Sequence, residues 1–256
     1  MGKIIAFSNQ KGGVGKTTTC VNMAAFLASK GYKVLLVDFD PQGNATSGLG
    51  FAKSDIKQSA YNVIIDEVPA SATALKTNIE NLDLLPSSID LAGAEVELVY
   101  IKDREHALKK ALLGVANSYD FILIDCPPSL GLLTINALSA AITVIIPIQS
   151  EYYALEGLSQ LMNSIKLVSR HLNADLKIEG VVLTMNDKRA IISRQITDEI
   201  RKFFGKKVYE TIIPRNIRLS EAPSHGVPIM LHDNKCVGAK AYLSLTEEFL
   251  SKQPKR

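Results

Sequence analysis

Asn9-Gln10-Lys11-Gly12-Gly13-Val14-Gly15-Lys16-Thr17-Thr18 is the stretch on which the reading of this chain turns. Just upstream, Ile4, Ile5, Ala6 and Phe7 form a short apolar run that suits a buried parallel strand. Downstream, Val21, Ala24, Ala25 and Leu27 recur at helical spacing between about Thr17 and Lys30, and Gly31 supplies the stop. Strand, glycine-rich turn and helix are the setting that a phosphate-binding loop requires. Gly12, Gly13 and Gly15 lack a Cβ, so backbone N–H groups can approach phosphate oxygens closely. The helix N-terminus adds partial positive charge. Lys16 is placed to reach the β- and γ-phosphates, and the Thr17 hydroxyl to ligate Mg²⁺. One feature is unusual. The pattern G-x-x-x-x-G-K-[ST] asks for glycine at position 10, where this chain has Gln10, and it carries a second cation, Lys11, beside the loop.

The rest of the chain supplies a frame for that loop. Apolar, strand-like runs fall at 3–8, 33–38, 82–85, 120–125, 142–148, 178–184 and 208–213. Helical patterns fall near 17–30, 104–117, 131–140, 154–171, 190–204 and 238–251. The alternation predicts an α/β fold: a mostly parallel, twisted sheet of about seven strands with helices on both faces. No internal repeat or Pro/Ser-rich linker divides the chain, so residues 1–256 are expected to form a single ATPase domain of the P-loop type. No run of 18 apolar residues offers a membrane span. The first strand begins too early to leave room for a signal peptide. Cys20, Cys126 and Cys236 have no metal-ligand spacing, and they read as reduced, inert thiols.

In such sheets ligands bind at the carboxyl ends of the strands. The second strand runs into Asp38-Phe39-Asp40-Pro41-Gln42-Gly43-Asn44. A carboxylate there can orient an attacking water or enter the metal shell, and Asp40, held extended by Pro41, is the candidate. Asp38 reads equally as a loop or capping residue. Phe121-Ile122-Leu123-Ile124 closes on Asp125, an apolar run with a terminal Asp that suits Mg²⁺ binding, directly or through water. Asn186, Pro214 and Asn216 follow the last two predicted strands, as either walls of a base pocket or simple turn residues.

Net charge is +3, but it is uneven. Lys53 to Glu105 holds five Lys/Arg against ten Asp/Glu, and Asn186 to Arg218 holds nine against four. The basic half suits a polyanion, although a solvated helix face would show the same pattern.

Lys-Gly-Gly-Val-Gly-Lys-Thr-Thr at 11–18, Asp-Phe-Asp-Pro-Gln-Gly-Asn-Ala-Thr at 38–46 and Ile-Asp-Cys-Pro-Pro-Ser at 124–129 together resemble the ParA/Soj partitioning ATPases of the deviant Walker A class. Leu91-Ala92-Gly93-Ala94-Glu95 and the stretch from Ile213 to Gly226 extend the resemblance over nearly the whole chain. The resemblance implies an Mg²⁺-dependent ATPase whose ATP-bound form is a sandwich homodimer. That dimer would bind double-stranded DNA without sequence preference. A ParB/Spo0J-type centromere-binding protein would stimulate hydrolysis and release it, in the cytoplasm and on the nucleoid. Lys11 matches the lysine that crosses to the partner subunit's nucleotide, and Lys11, Lys16 and Asp40 take the catalytic roles. Lys11, Gly12, Gly13, Val14, Gly15, Lys16, Thr17 and Thr18 match the ATP-binding set. Arg189 and Arg218 are similar in position to DNA-contacting residues. Asn186 departs from relatives that carry an aromatic residue there. The rival is a MinD-type membrane ATPase that positions the division site. It would need a C-terminal amphipathic membrane helix, for which Ala241, Leu243, Leu245, Phe249 and Leu250 provide apolar spacing, though Glu247 and Glu248 favour a packed helix.

Overall fold

A computed structural model describes residues 2–151, 154–186 and 191–254, with the side chains of 154–157 outside that description. The chain runs β1 (Lys3–Phe7), α1 (Lys16–Ser29), β2 (Val34–Asp38), α2 (Asn44–Gly48), α3 (Ala60–Ile64) and α4 (Ala70–Thr73). It continues through β3 (Leu75–Lys76), β4 (Leu82–Leu85), α5 (Leu91–Glu97), α6 (Ala107–Leu113), β5 (Phe121–Asp125), α7 (Leu132–Ala140) and β6 (Thr143–Gln149). Then follow α8 (Ala154–His171), β7 (Lys177–Thr184), α9 (Ile191–Phe204), α10 (Ile217–Glu221), α11 (Ile229–His232) and α12 (Val237–Ser251).

The seven strands form one sheet in the order β3-β4-β2-β5-β1-β6-β7. Every pairing is parallel except that of β3 with β4. Strand alternation divides the core between two faces. Ile5, Phe7, Leu36 and Leu123 pack beneath α1 and α12, whereas Ile4, Ala6, Leu35 and Ile124 pack beneath α3, α5, α6, α7 and α8. The predicted α/β architecture is therefore the observed one.

Two expectations change. The run at 208–213 is not a strand. Tyr209 and Ile213 donate their N–H groups to Val181 and Leu183 of β7, but those of Glu210 and Thr211 go to the Glu248 carboxylate on α12. A side chain takes the donors that a ladder needs, which leaves isolated bridges at Val208 and Pro214. The seventh strand is instead the two-residue β3, too short to show a period in the sequence. The predicted helix at 104–117 is also divided, with a 3₁₀ turn at Arg104–His106 leading into α6.

Helix α12 lies on α1. Tyr242 and Thr19 share a hydrogen bond of 3.1 Å, Phe249 meets the Phe121 ring edge-on, and Tyr242, Leu245 and Phe249 are fully buried. Each such side chain contributes about 1.5–3 kcal/mol by leaving water. Ala241, Leu243 and Leu250 pack against the same core. The apolar face that a membrane reading needs is thus already occupied inside the fold. Among the described residues no helix is long and apolar enough to cross a membrane.

Candidate functional site

The carboxyl ends of β1, β2 and β5 meet at one point. The register sets Phe7 opposite Asp125, and Asp125 opposite Asp38. Between β1 and α1 the chain makes a tight loop in which Gly13 (φ +74°) and Gly15 (φ +82°) adopt the left-handed conformation that only glycine enters at little cost. Three hydrogen bonds fix the loop. Asn9 Nδ2 donates to Pro147 O at 2.7 Å, Lys11 N donates to Asn9 Oδ1 at 3.0 Å, and Thr184 Oγ1 donates to Val14 O at 2.8 Å. The Lys16 side chain is buried and its Nζ donates across the loop to Lys11 O at 3.4 Å. Burial pulls the Lys16 ammonium below its ordinary range, and the nearby Asp125 and Asp40 only partly offset that. A buried cation inside a ring of N–H groups fits a phosphate chain.

Three carboxylates stand beneath the loop, and they differ. Asp38 is fully buried and accepts from Thr46 N and Thr46 Oγ1, each at 2.7 Å. Burial still raises its carboxyl to about 6, against the hydrogen bonds from Thr46. Its oxygens are committed to the start of α2, so it organises the loop. Asp40 is buried two residues on. It accepts from Gln42 N at 2.9 Å, while its own carbonyl accepts from Ser87 Oγ at 2.6 Å and Gly43 N at 2.9 Å. Asp125, fully buried, is the least satisfied of the three. Neither of its carboxylate oxygens has a full hydrogen bond although both are buried. Burial, reinforced by Asp38, pushes its carboxyl well above the usual range, and Thr17 and Lys16 lie near enough to pull it back in part. A buried carboxylate without partners is costly unless a cation completes it. Among the described residues no group of three or more His, Cys, Asp or Glu could hold a metal by itself. Mg²⁺ binds through one or two protein oxygens, waters and substrate phosphates. Thr17 and Asp125 could hold it, with Asp40 close by.

Beside the loop opens a cleft of about 410 Å³, lined by Gly15, Thr18, Met185, Pro214, Asn216 and Leu219 among others. Its walls are largely apolar, and Asn216 Oδ1 is a buried acceptor without a partner. Those two properties suit a flat heteroaromatic base that carries an amino group. Pro214 and Asn216 stand where the sequence places them, at the cleft. Asn186 does not. Its amide donates to Ser150, Ser193 and Thr197 hydroxyls at 3.2, 3.0 and 3.3 Å, and it is not among the residues that line the cleft. Sequence reasoning passed over Met185, whose positive φ (+47°) turns it toward the cleft, and Thr184, Leu219 and Tyr242. Thr184 closes a predicted strand, Met185 adjoins Asn186 and Leu219 falls within the stretch from Ile213 to Gly226, so only Tyr242 had no signal in the sequence.

Lys11 projects from the loop to Glu151, with Nζ 3.2 Å from Oε2, and Arg215 approaches the other Glu151 oxygen at 4.0 Å. Of the two DNA-contact candidates, Arg189 lies outside the described residues. Arg218 is exposed on α10 and paired with Glu221 at 2.8 Å and with Asp233 at 3.8 Å. The Glu221 pair raises its already high range further.

A family model described as an AAA domain matches residues 2–178. Over 248 residues the chain is 60% identical to the sporulation initiation inhibitor protein Soj of Bacillus subtilis (strain 168), covering 97% of this chain and 98% of that protein. The chain belongs to the Soj/ParA partitioning family. The chromosome partitioning protein ParA of Myxococcus xanthus is 53% identical, across 100% of this chain and 92% of that protein. Among solved structures, cobyrinic acid a,c-diamide synthase from Mycobacterium smegmatis with bound ADP and magnesium superposes with a TM-score of 0.86 at 39% identity, covering 98% of this chain and 94% of that one. The Soj/ParA motifs at 11–18, 38–46 and 124–129 all converge on the phosphate loop described above.

Proposed function

We propose that this Soj/ParA chain is a single-domain, Mg²⁺-dependent ATPase that segregates DNA. The observation that carries the reading is Asp125, a buried carboxylate with both oxygens unpaired, beneath a glycine loop that holds a buried lysine. In this reading Lys16 and the loop N–H groups from Gly12 to Thr18 hold the phosphates, and Thr17 with Asp125 holds the metal. The metal screens the phosphate charge and polarises the bond to be broken. Asp40 orients the attacking water. Pro214 and Asn216 face the base. The ADP and magnesium in the Mycobacterium smegmatis structure support the choice of ligands.

Lys11 gives the reading its dimer. Two ammonium groups beside one loop repel, and a γ-phosphate offsets that repulsion. A partner subunit's Lys11 reaching over the nucleotide would make the ATP state the dimeric one, and hydrolysis would favour separation. Two weak basic surfaces on one rigid dimer gain effective concentration on DNA, so ATP would switch DNA affinity without a base-reading element. Arg218 and Arg189 are the candidate phosphate contacts. A ParB-type partner would stimulate hydrolysis and reset the cycle on the nucleoid. The 39%-identical structure carries the name of a cobyrinic acid a,c-diamide synthase, a different activity. The 60% identity to Soj favours partitioning.

The test is DNA binding measured with ATP, with ADP and without nucleotide, alongside mass by light scattering. The expected result is a dimer that binds DNA with ATP alone. DNA affinity equal in all three conditions, or a monomer throughout, would overturn the reading.

A further inference from the structure

Met185 holds a backbone conformation that its side chain disfavours. Its φ is +47°, in the left-handed region where a Cβ crowds the backbone. The other described non-glycine residues with positive φ are Glu67, Asn81 and Asp103, all polar and none of them at the base cleft. Met185 is apolar and lines that cleft. A bulky residue stays in such a conformation only where its surroundings over-determine it, and strain of this kind gathers at ligand sites.

The surroundings do over-determine it. On one side, at the end of β7, Thr184 donates its hydroxyl to Val14 O at 2.8 Å, which ties the strand to the phosphate loop. On the other side, Asn186 N donates to Ile213 O at 3.2 Å, and Asn186 bridges to Pro214 in parallel. The Asn186 side chain is anchored as well. Its Nδ2 lies 3.2 Å from Ser150 Oγ, 3.0 Å from Ser193 Oγ and 3.3 Å from Thr197 Oγ1, hydroxyls at the end of β6 and on α9. Ser150 and Ser193 are buried, so water competes little for the amide. Between two pinned residues the chain turns through the left-handed region.

The turn brings the Met185 thioether to the seam between loop and cleft. A Cβ on Gly15 would lie 3.6 Å from Met185 Cε, an ordinary contact distance, so the methyl group rests against the phosphate loop. Pro214, across the Asn186 bridge, supplies another apolar wall of the same cleft. Glycine would take the same φ without the cost, so the turn itself gives no reason for methionine. A ligand does, because a flexible, polarisable thioether packs well against a flat aromatic ring.

We propose that Met185 is a specificity-determining contact for the nucleotide base, and that Asn186 is a positioning residue that keeps Met185 in its left-handed conformation. That role rests on the nucleotide reading of the cleft given above. It gives base affinity a source outside the phosphate loop, a strained side chain whose support comes from β6 and α9.

The test measures affinity for ATP and for inorganic triphosphate, each with Mg²⁺, by calorimetry. It compares the full chain with Met185→Gly, Met185→Leu, Asn186→Ala and the double variant Met185→Gly/Asn186→Ala, and records the melting temperature of each without nucleotide. Met185→Gly is expected to weaken ATP binding by about fivefold or more and to leave triphosphate affinity within about twofold. Its melting temperature does not fall, because the disfavoured φ is relieved. Met185→Leu, which keeps the apolar bulk, retains ATP affinity within about threefold. Asn186→Ala weakens ATP binding and spares triphosphate, and the double variant binds ATP no more weakly than Met185→Gly alone. ATP affinity unchanged in Met185→Gly overturns the base contact. Equal losses for ATP and triphosphate overturn it too, by placing both residues in support of the phosphate loop. A melting temperature that falls in Met185→Gly overturns the strain. Losses that add in the double variant overturn the positioning role of Asn186. A wild-type chain that binds neither ATP nor triphosphate overturns the nucleotide reading itself.

Discussion

Lys11 and Lys16 sit on one loop and answer to different surroundings. Lys16 is buried against Asp125 and Asp40, where its charge is under-compensated by solvent and awaits an anion. Lys16→Ala should therefore weaken ATP binding by roughly 10- to 100-fold, the worth of a charged hydrogen bond of about 1.5–3 kcal/mol. Titration calorimetry checks this, and an unchanged affinity would refute the phosphate role. Lys11 is half-buried and held by Glu151 at 3.2 Å in its own subunit. An ion pair that water reaches contributes little, so Glu151 can yield Lys11 to a phosphate at small cost. Lys11→Ala should keep ATP affinity within about threefold, an effect below 1 kcal/mol, while abolishing the ATP-dependent dimer. Light scattering of the variant with ATP decides it. A normal dimer would leave the phosphate loop intact as a reading and remove the subunit-crossing lysine.

The strand ends, rather than any single residue, create the demand for a cation. Parallel pairing of β2 with β5 sets Asp38 directly opposite Asp125, two carboxylates at the buried end of a sheet. Folding places them there at an electrostatic cost that depends on pH. Asp38 has an ordinary value of 3.8 and is raised to about 6 in the fold. The folded state holds this proton more tightly than the unfolded chain. The stability the group contributes is thus fully present below about pH 4 and lost as pH rises through about 6. The loss amounts to about 3 kcal/mol for a shift of about two pH units. Asp125, also raised, adds to the slope with the same sign. Without nucleotide or Mg²⁺, unfolding in urea should show higher stability at pH 5.5 than at pH 7.5. Asp38→Asn, which keeps an acceptor for Thr46, should flatten that slope. A slope that is unchanged in the variant would place the cost elsewhere.

Across the molecule, charge is separated between an acidic stretch around α5 and a basic stretch that ends at Arg218. Arg218 is not idle in this structure, because Glu221 and Asp233 already neutralise it. A DNA phosphate must compete with both. Arg218→Glu should weaken DNA binding and lower the log–log salt slope by roughly 0.9 per lost phosphate contact, with the ATP dimer retained. Matched affinity and slope in variant and wild type would move the DNA surface away from α10. The same C-terminal segment lines the base cleft through Pro214, Asn216 and Leu219. In the proposed reading, base and DNA contacts would fall on adjacent residues, a short path between nucleotide state and DNA surface.

Much of this was legible in the order of residues. The glycine loop, Lys16, Thr17, Asp40 and Asp125 all announce themselves, because each is a local pattern: a turn that needs glycine, a strand period, an Asp closing an apolar run. The sheet was legible for the same reason, except at β3 and at 208–213. There the outcome hangs on Glu248, nearly forty residues away, taking two N–H donors from a would-be strand. Asn186, which the sequence left as either a pocket wall or a turn residue, has its amide held by distant hydroxyls at β6's end and on α9. The local chemistry of the phosphate loop follows from covalent sequence, because backbone sterics and strand period act over a few residues. The pairing of Asp38 with Asp125 and the parking of Lys11 on Glu151 follow from register and packing, which join residues that the chain keeps far apart.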